Sequence, residues 1–447
     1  MKIEESATNS RSLTFSHYVV PLTVVTTLFF MWGFITVLVD ALVPRLRDVF
    51  ELSYFEAALV QFAFFTAYFV FSIPSGGLIA KIGYKKGVVT GLITMGIGCL
   101  LFYPAASFRV FPIFLLAMFV LAGGITTLQV AANPYIAALG PASTAASRLN
   151  LSQAFNSLGT TIAPLVSAAF ILSSTVLSSV EVEVLSESER QLYYASEASA
   201  VQGPFVWLAG ALFLLAGVFA LFKLPKILEG DSDKGGTYRE ALRHKHLIFG
   251  ALAIFVYVGA EVSIGSYLVN YFLSLDIQTL VLESSIMASI AAFLSGSDLN
   301  SLNPSRLAGT FVFFYWGGAM VGRFIGSGLQ LRVSPHKLLA SYALVNVLLL
   351  IFTMISSSYT AFWAVLCIGL FNSIMFPTIF TLAIDGLRNL TAQGSGILCT
   401  AIVGGAIIPP IYGFMADSFS LSLAFIVPLL CYLYIAWYGR VGSQLKS

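Results

Sequence analysis

Two carboxylates stand out because so little around them is charged. Asp40 lies in FFMWGFITVLVDALVPRLR (29–47), near the end of an otherwise uncharged run, and Glu261 lies in YVGAEVSIGSYLVNYF. An acid in so apolar a segment is expensive to desolvate, whether ionised or neutral. Such a group either ends a helix among lipid headgroups or binds a cation in a water-filled cavity. Amides accompany the acids: Gln129 with Asn133, Gln153 with Asn156, then Asn270 and Asn372. Positions 129 and 133 are four apart and share a helical face, as do Gln153, Asn156 and Thr160. An amide is donor and acceptor at once, which suits the hydroxyls of a sugar. Trp32, Tyr257, Trp316 and Tyr315 add flat apolar faces for a sugar's C–H surface. Each amide alone can equally bridge two helices, and an aromatic at helical spacing packs more often than it binds.

The elements that carry these residues follow from composition. Of 447 residues 58% are hydrophobic and 10% charged, with mean hydropathy +0.89, far from the roughly 25% charged residues of soluble domains. The chain therefore reads as an all-α membrane protein. Windows of about twenty apolar residues fall near 19–44, 54–80, 87–106, 110–139, 149–174 and 203–223. Six more fall near 247–274, 307–331, 337–356, 360–385, 393–417 and 420–440. That divides the chain into a polar N-terminal tail (1–16), a six-helix half (17–223), a polar linker (224–246) and a second six-helix half (247–447). The second half carries an insertion at 276–306, whose apolar part is too short to cross a bilayer. It reads as an external, amphipathic surface helix over 280–294.

Basic residues set the orientation. Of the 23 Lys and Arg, only Arg45, Arg47, Arg109, Arg190 and Arg306 fall in odd-numbered connections, and Arg323 sits within a helix. The remainder lie at the termini and in even-numbered connections, which places both termini in the cytoplasm. The acidic stretch 181–197 then lies outside. The tail has no apolar core of the kind a cleaved signal peptide needs. A net charge of +2 suggests no nucleic-acid partner. The cysteines at 99, 367, 399 and 431 lie in apolar segments and read as packing thiols rather than bridges or metal ligands. HExxH, GxSxG and paired His/Cys clusters do not occur, which places an enzyme last among the function classes. A filter-like loop or charged ring, as in a channel, is not evident either.

The halves repeat one another. SGGLIAKIGYKKG (75–87) and IGSGLQLRVSPHK (325–337) both join a second helix to a third. AANPYIAALG (131–140) and MFPTIFTLAI (375–384) bring a proline to each fourth helix, and TTIAP (160–164) and GAIIPP (405–410) do so for each fifth. Folds duplicated in this way hold substrate near the midplane and alternate access by rocking one half against the other.

GGLIAKIGYKKG resembles the loop signature of the major facilitator superfamily. FFMWGFITVLVDALVP, LQVAANPYIAALGP, SRLNLSQAFNSLGTTIAP, YVGAEVSIGSYLVNYF, YWGGAMVGRFIGS, LFNSIMFPTIF and GSGILCTAIVGGAIIPP are similar to the bacterial glucose/galactose transporters, which group with the L-fucose–proton symporters. The resemblance covers nearly all of the chain outside 1–16, 175–200 and 276–306. It implies twelve transmembrane helices in two pseudo-symmetric halves, a bacterial inner-membrane location, and import of a hexose coupled to H+ or Na+. Cofactors are not expected, and the chain is expected to act as a monomer. Asp40 matches the first-helix aspartate of the fucose symporters. Their fourth-helix glutamate is here Gln129, which cannot titrate, and Glu261 stands where they carry glutamine. Asp40 and Glu261 are thus the cation-coupling candidates, Asp40 for a proton and Glu261 for sodium or for sugar binding. Gln129, Asn133, Gln153, Asn156, Trp32, Tyr257, Asn270, Trp316 and Asn372 are the candidates for substrate. An exporter of amphipathic compounds on the same fold is the competing reading, and it would favour a more apolar cavity with fewer amides.

Overall fold

The computed structural model describes residues 18–38, 54–170, 184–225, 236–296, 302–356 and 358–444. Asp40 and the linker segment 226–235 lie outside them. All twelve expected segments are helical where described: α1 (Tyr18–Leu38), α2 (Tyr54–Ile82), α3 (Tyr84–Phe108), α4 (Phe111–Ala138), α5 (Ala145–Phe170), α6 (Glu187–Leu221), α7 (Lys245–Ser274), α8 (Pro304–Leu329), α9 (Pro335–Ile355), α10 (Ser358–Ile384), α11 (Arg388–Ser418) and α12 (Leu421–Gln444). Ten of these contain a stretch long and apolar enough to cross a membrane. The other two, α5 and α8, reach 26 residues each; polar side chains along them, Gln153, Asn156 and Arg323 included, dilute their hydropathy.

The chain folds into two compact units whose limits differ from the sequence repeat. The first comprises Met1–Ala142, Phe155–Thr237 and Leu387–Thr400; the second comprises Ser143–Ala154, Tyr238–Gly386 and Ala401–Ser447. In the first, α3 packs on α4 and α6, α2 packs on α4, and the leading part of α11 lies against α2 and α4. In the second, α8 and α9 flank α10, while α7 packs on α11 and α12.

Glycine sets the closest helix crossings, and it does so in the same manner in both units. A Cβ on Gly159 of α5 would stand 2.3 Å from the Phe30 carbonyl of α1, and one on Gly404 of α11 would stand 2.0 Å from the Phe255 carbonyl of α7. In a membrane the hydrophobic effect does not drive helices together, so such backbone approach is a main source of packing energy.

Proline shapes the fourth helix of each half. It has no N–H, so the carbonyl four residues earlier loses its helical partner. Pro134 in α4 leaves the Val130 carbonyl, and Ser395 Oγ donates to it at 2.9 Å within the first unit. Pro377 leaves the Ser373 carbonyl in α10. There the helix is interrupted at Ser373–Ile374, ending as Ser358–Asn372 and resuming as Met375–Ile384.

Two connections differ from plain loops. Helix α6 begins well before its apolar window, at Glu187, with a capping box in which Ser186 and Glu189 satisfy each other's end of the helix. The Ser186 side chain, then its backbone N–H, hold the Glu189 carboxyl below the usual range. The insertion folds as two helices, Ile277–Glu283 and Ser285–Ser295, meeting at 111°. Neither is long enough to cross a bilayer.

Candidate functional site

The second unit holds the denser polar cluster. Its centre is Asn372, 1% exposed, at the end of the first segment of α10. Its Oδ1 accepts from Asn346 Nδ2 of α9 at 2.9 Å and from Tyr432 Oη of α12 at 2.7 Å. Its Nδ2 donates to Tyr315 Oη of α8 at 2.8 Å, and its backbone carbonyl accepts from Tyr257 Oη of α7 at 3.3 Å. One residue thereby joins α7, α8, α9, α10 and α12. Buried amides need such partners, since each unpaired polar group costs about 1–3 kcal/mol. Tyr257 Oη also donates to Glu261 Oε1 at 2.7 Å, one helical turn along α7. Arg323 of α8 donates from Nε to the Ser373 carbonyl at 3.2 Å, the one that Pro377 leaves open. Tyr257, bonded to Glu261, and Arg323 thus bond neighbouring carbonyls at the break, those of Asn372 and Ser373.

A second buried triad lies in the same unit. Asn150 Nδ2 donates to Gln330 Oε1 at 2.6 Å, and Gln330 Nε2 donates to Thr378 Oγ1 at 2.7 Å. Ser147 Oγ adds a bond to the Ser327 carbonyl, and Arg148 reaches Thr144 Oγ1. The Asn150 and Ser147 bonds hold the leading turns of α5 against α8 and α10.

The first unit carries the remaining amides. Asn156 Nδ2 donates to the Phe29 carbonyl at 2.9 Å, directly across from Gly33, where a Cβ would lie 2.7 Å from that nitrogen. Gln129 Nε2 donates to Tyr68 Oη of α2 at 2.8 Å, and its Oε1 is buried and unpaired. Asn133 is fully buried, with both amide atoms unpaired. Trp32 is buried on α1 with its ring edge-on to Phe29.

The expected residues therefore sort into groups. Tyr257, Glu261 and Asn372 meet in one network; Trp32 and Asn156 share the α1–α5 crossing; Gln129 and Asn133 lie on α4. Gln153 is buried and belongs to the second unit, whereas Asn156 belongs to the first, so the division of α5 separates that face. Trp316 is 47% exposed and packs on Gly265. Asn270 is exposed on α7 and joins none of these bonds. The sequence reading did not single out Tyr68, Asn346 or Tyr432. A tyrosine hydroxyl in an apolar helix does need a partner when buried, and that was the available signal.

A twelve-helix chain of duplicated halves, with polar clusters at broken helices, is the architecture of a secondary transporter. The chain belongs to the major facilitator superfamily, whose profile matches residues 22–402, and it is a transporter rather than an enzyme. It is 49% identical to a glucose/galactose transporter of Brucella abortus over 96% of this chain and 95% of that one. It is 34% identical to the L-fucose-proton symporter of Escherichia coli over 99% of this chain and 96% of that one. A crystal structure of FucP, a transporter of this superfamily in the outward conformation, superposes with a TM-score of 0.84 at 33% identity, covering 96% of this chain and 99% of that one.

Proposed function

We propose that this protein imports a hexose such as glucose or galactose, coupled to an inward cation, H+ in the first instance. Asp40 and Glu261 are the coupling acids, and the amides of α4 and α5 with Trp32 contribute to the sugar site. The observation that carries the reading is Glu261, an acid in an apolar bundle whose carboxylate is met by Tyr257 and faced by Arg323. An acid so placed can exchange a cation without leaving its helix. The names of the similar proteins support a sugar as cargo. The protein sits in a bacterial inner membrane as a monomer with both termini in the cytoplasm.

The test is uptake into proteoliposomes of radiolabelled glucose, galactose and fucose, with proton and sodium gradients imposed separately. Accumulation against a concentration gradient is expected under a proton gradient. Asp40→Asn is expected to abolish accumulation yet leave counterflow within about threefold, because an amide resembles the protonated acid. Uptake of none of the hexoses under either gradient would overturn the reading. Accumulation by Asp40→Asn equal to wild type would move the coupling role away from Asp40.

A further inference from the structure

The break in α10 sits beside Glu261, the only acid among the described residues of the second unit's polar network. Pro377 removes the donor for the Ser373 carbonyl, and Arg323 Nε supplies one. Gly322, the preceding residue on α8, makes this possible. A Cβ there would stand 2.3 Å from the Leu370 carbonyl and 2.5 Å from Ser373 Oγ, so only glycine lets α8 run against the break. Tyr257 spans the same place from α7, its hydroxyl lying 2.7 Å from Glu261 Oε1 and 3.3 Å from the Asn372 carbonyl. Arg323 and the Tyr257 that holds Glu261 thus bond neighbouring carbonyls of the same break, those of Ser373 and Asn372, which brings the guanidinium and the acid to one place in the bundle.

We propose that Arg323 is a positioning residue that transfers between the Ser373 carbonyl and Glu261 according to whether a cation occupies Glu261. The inference rests on the transport reading above and gives the site its conformational output. With a proton or sodium ion on the carboxylate, Glu261 is neutral and Arg323 holds the break in α10. When the cation leaves, the bare carboxylate is the stronger acceptor, because hydrogen bonds between charged partners are roughly twice as strong as neutral ones. The Nε–H bond to Ser373 then breaks, one to a Glu261 oxygen forms, and the carbonyl at the break loses its partner. Arg323 keeps its own protons throughout; the cation alone enters or leaves. The other groups at Glu261 are Tyr257 on its own helix, which bonds its carboxylate, and Tyr315 from α8, which reaches its backbone carbonyl, with Tyr432 of α12 and the neutral amides Asn346 and Asn372 behind them. At Gly259, α11 brings Gly404 and Ile408. Arg323 is therefore the one cation among the described groups around this carboxylate.

Hydrogen–deuterium exchange across residues 368–380 tests the transfer without needing transport. After correction for the intrinsic pH dependence of exchange, wild type is expected to lose protection there by about tenfold as the pH rises through the range in which coupling operates. Glu261→Gln, permanently neutral, is expected to stay protected at every pH. Arg323→Gln should be poorly protected throughout, and Arg323→Lys should restore a pH response. Protection independent of pH in wild type overturns the proposal, and so does a wild-type response in Glu261→Gln or Arg323→Gln. Should Arg323→Gln not fold, the Lys and Glu261→Gln variants decide it. Since exchange is read with no sugar present, failure of this inference is separable from failure to find hexose uptake.

Discussion

At the level of single residues, the two halves use the same side-chain type for different work. Asn372 makes bonds to four other helices and is enclosed, so its amide is already spent on structure. Asn156 makes one bond to a backbone carbonyl and is only part-buried, which leaves its oxygen for a ligand. Asn156→Ala is therefore expected to weaken hexose binding by roughly 1–3 kcal/mol, the cost of leaving a polar partner unmatched. Calorimetric titration of purified protein measures it, with the thermal midpoint recorded alongside. An unchanged dissociation constant in a folded variant takes Asn156 out of the site. Sequence alone could not separate these two asparagines. Both stand among apolar neighbours, and only the partners of each, which come from distant helices, distinguish an amide bonded on both sides from one that makes a single bond.

At the level of elements, hydropathy and proline carried most of the fold. The twelve windows and the proline in each fourth helix were legible, because a membrane leaves few alternatives to an apolar helix. The break at Ser373–Ile374 was not, although Pro377 was in view: a proline can kink a helix or interrupt it, and here Arg323 and Tyr257 donate to the exposed carbonyls. The extension of α6 carried a readable sign, the Ser186-to-Glu189 spacing of a capping box, hidden within a stretch acidic enough to pass for a loop. The close crossings were hidden as well, since a glycine in a transmembrane helix does not declare what approaches it. Gly404→Ala is expected to destabilise the protein by about 1–3 kcal/mol, as overpacking does, because its Cβ would meet the Phe255 carbonyl. Gly210→Ala, with open space around it, serves as the control and should change stability by no more than about 0.5 kcal/mol. Thermal unfolding in detergent, followed by a thiol-reactive dye, compares them. Equal midpoints for the two would remove close backbone approach as the reason for Gly404.

For the whole molecule, topology is the property still open to a direct chemical measurement. The bent pair Ile277–Glu283 and Ser285–Ser295 keeps Met287 and Ala291 buried, and Tyr359 Oη of α10 ties the Leu280 carbonyl down at 2.8 Å. Ser289 is exposed on the second helix. The proposed orientation, with both termini in the cytoplasm, puts this pair outside the cell, so Ser289→Cys in intact cells should react with an impermeant thiol reagent. The control is the same chain with Ser289 retained, where Cys367 is the one exposed native thiol. Labelling that appears only once the cytoplasmic side is opened would reverse the orientation.

The division into units also bears on how the protein comes to be made. The first unit includes Leu387–Thr400, a segment separated from the rest of that unit by the whole run from Tyr238 to Gly386. Ribosomes add about 5–20 residues per second, so roughly 7–30 s pass between synthesis of the first unit's main body and arrival of its last piece. During that interval the faces of α2 and α4 that later hold Leu387–Thr400 must be covered by lipid or by the insertion machinery. The Val130 carbonyl, which Ser395 serves in the finished protein, waits with them. Assembly of this transporter is thus not a matter of finishing one half and then the next: its first-made part is completed nearly last.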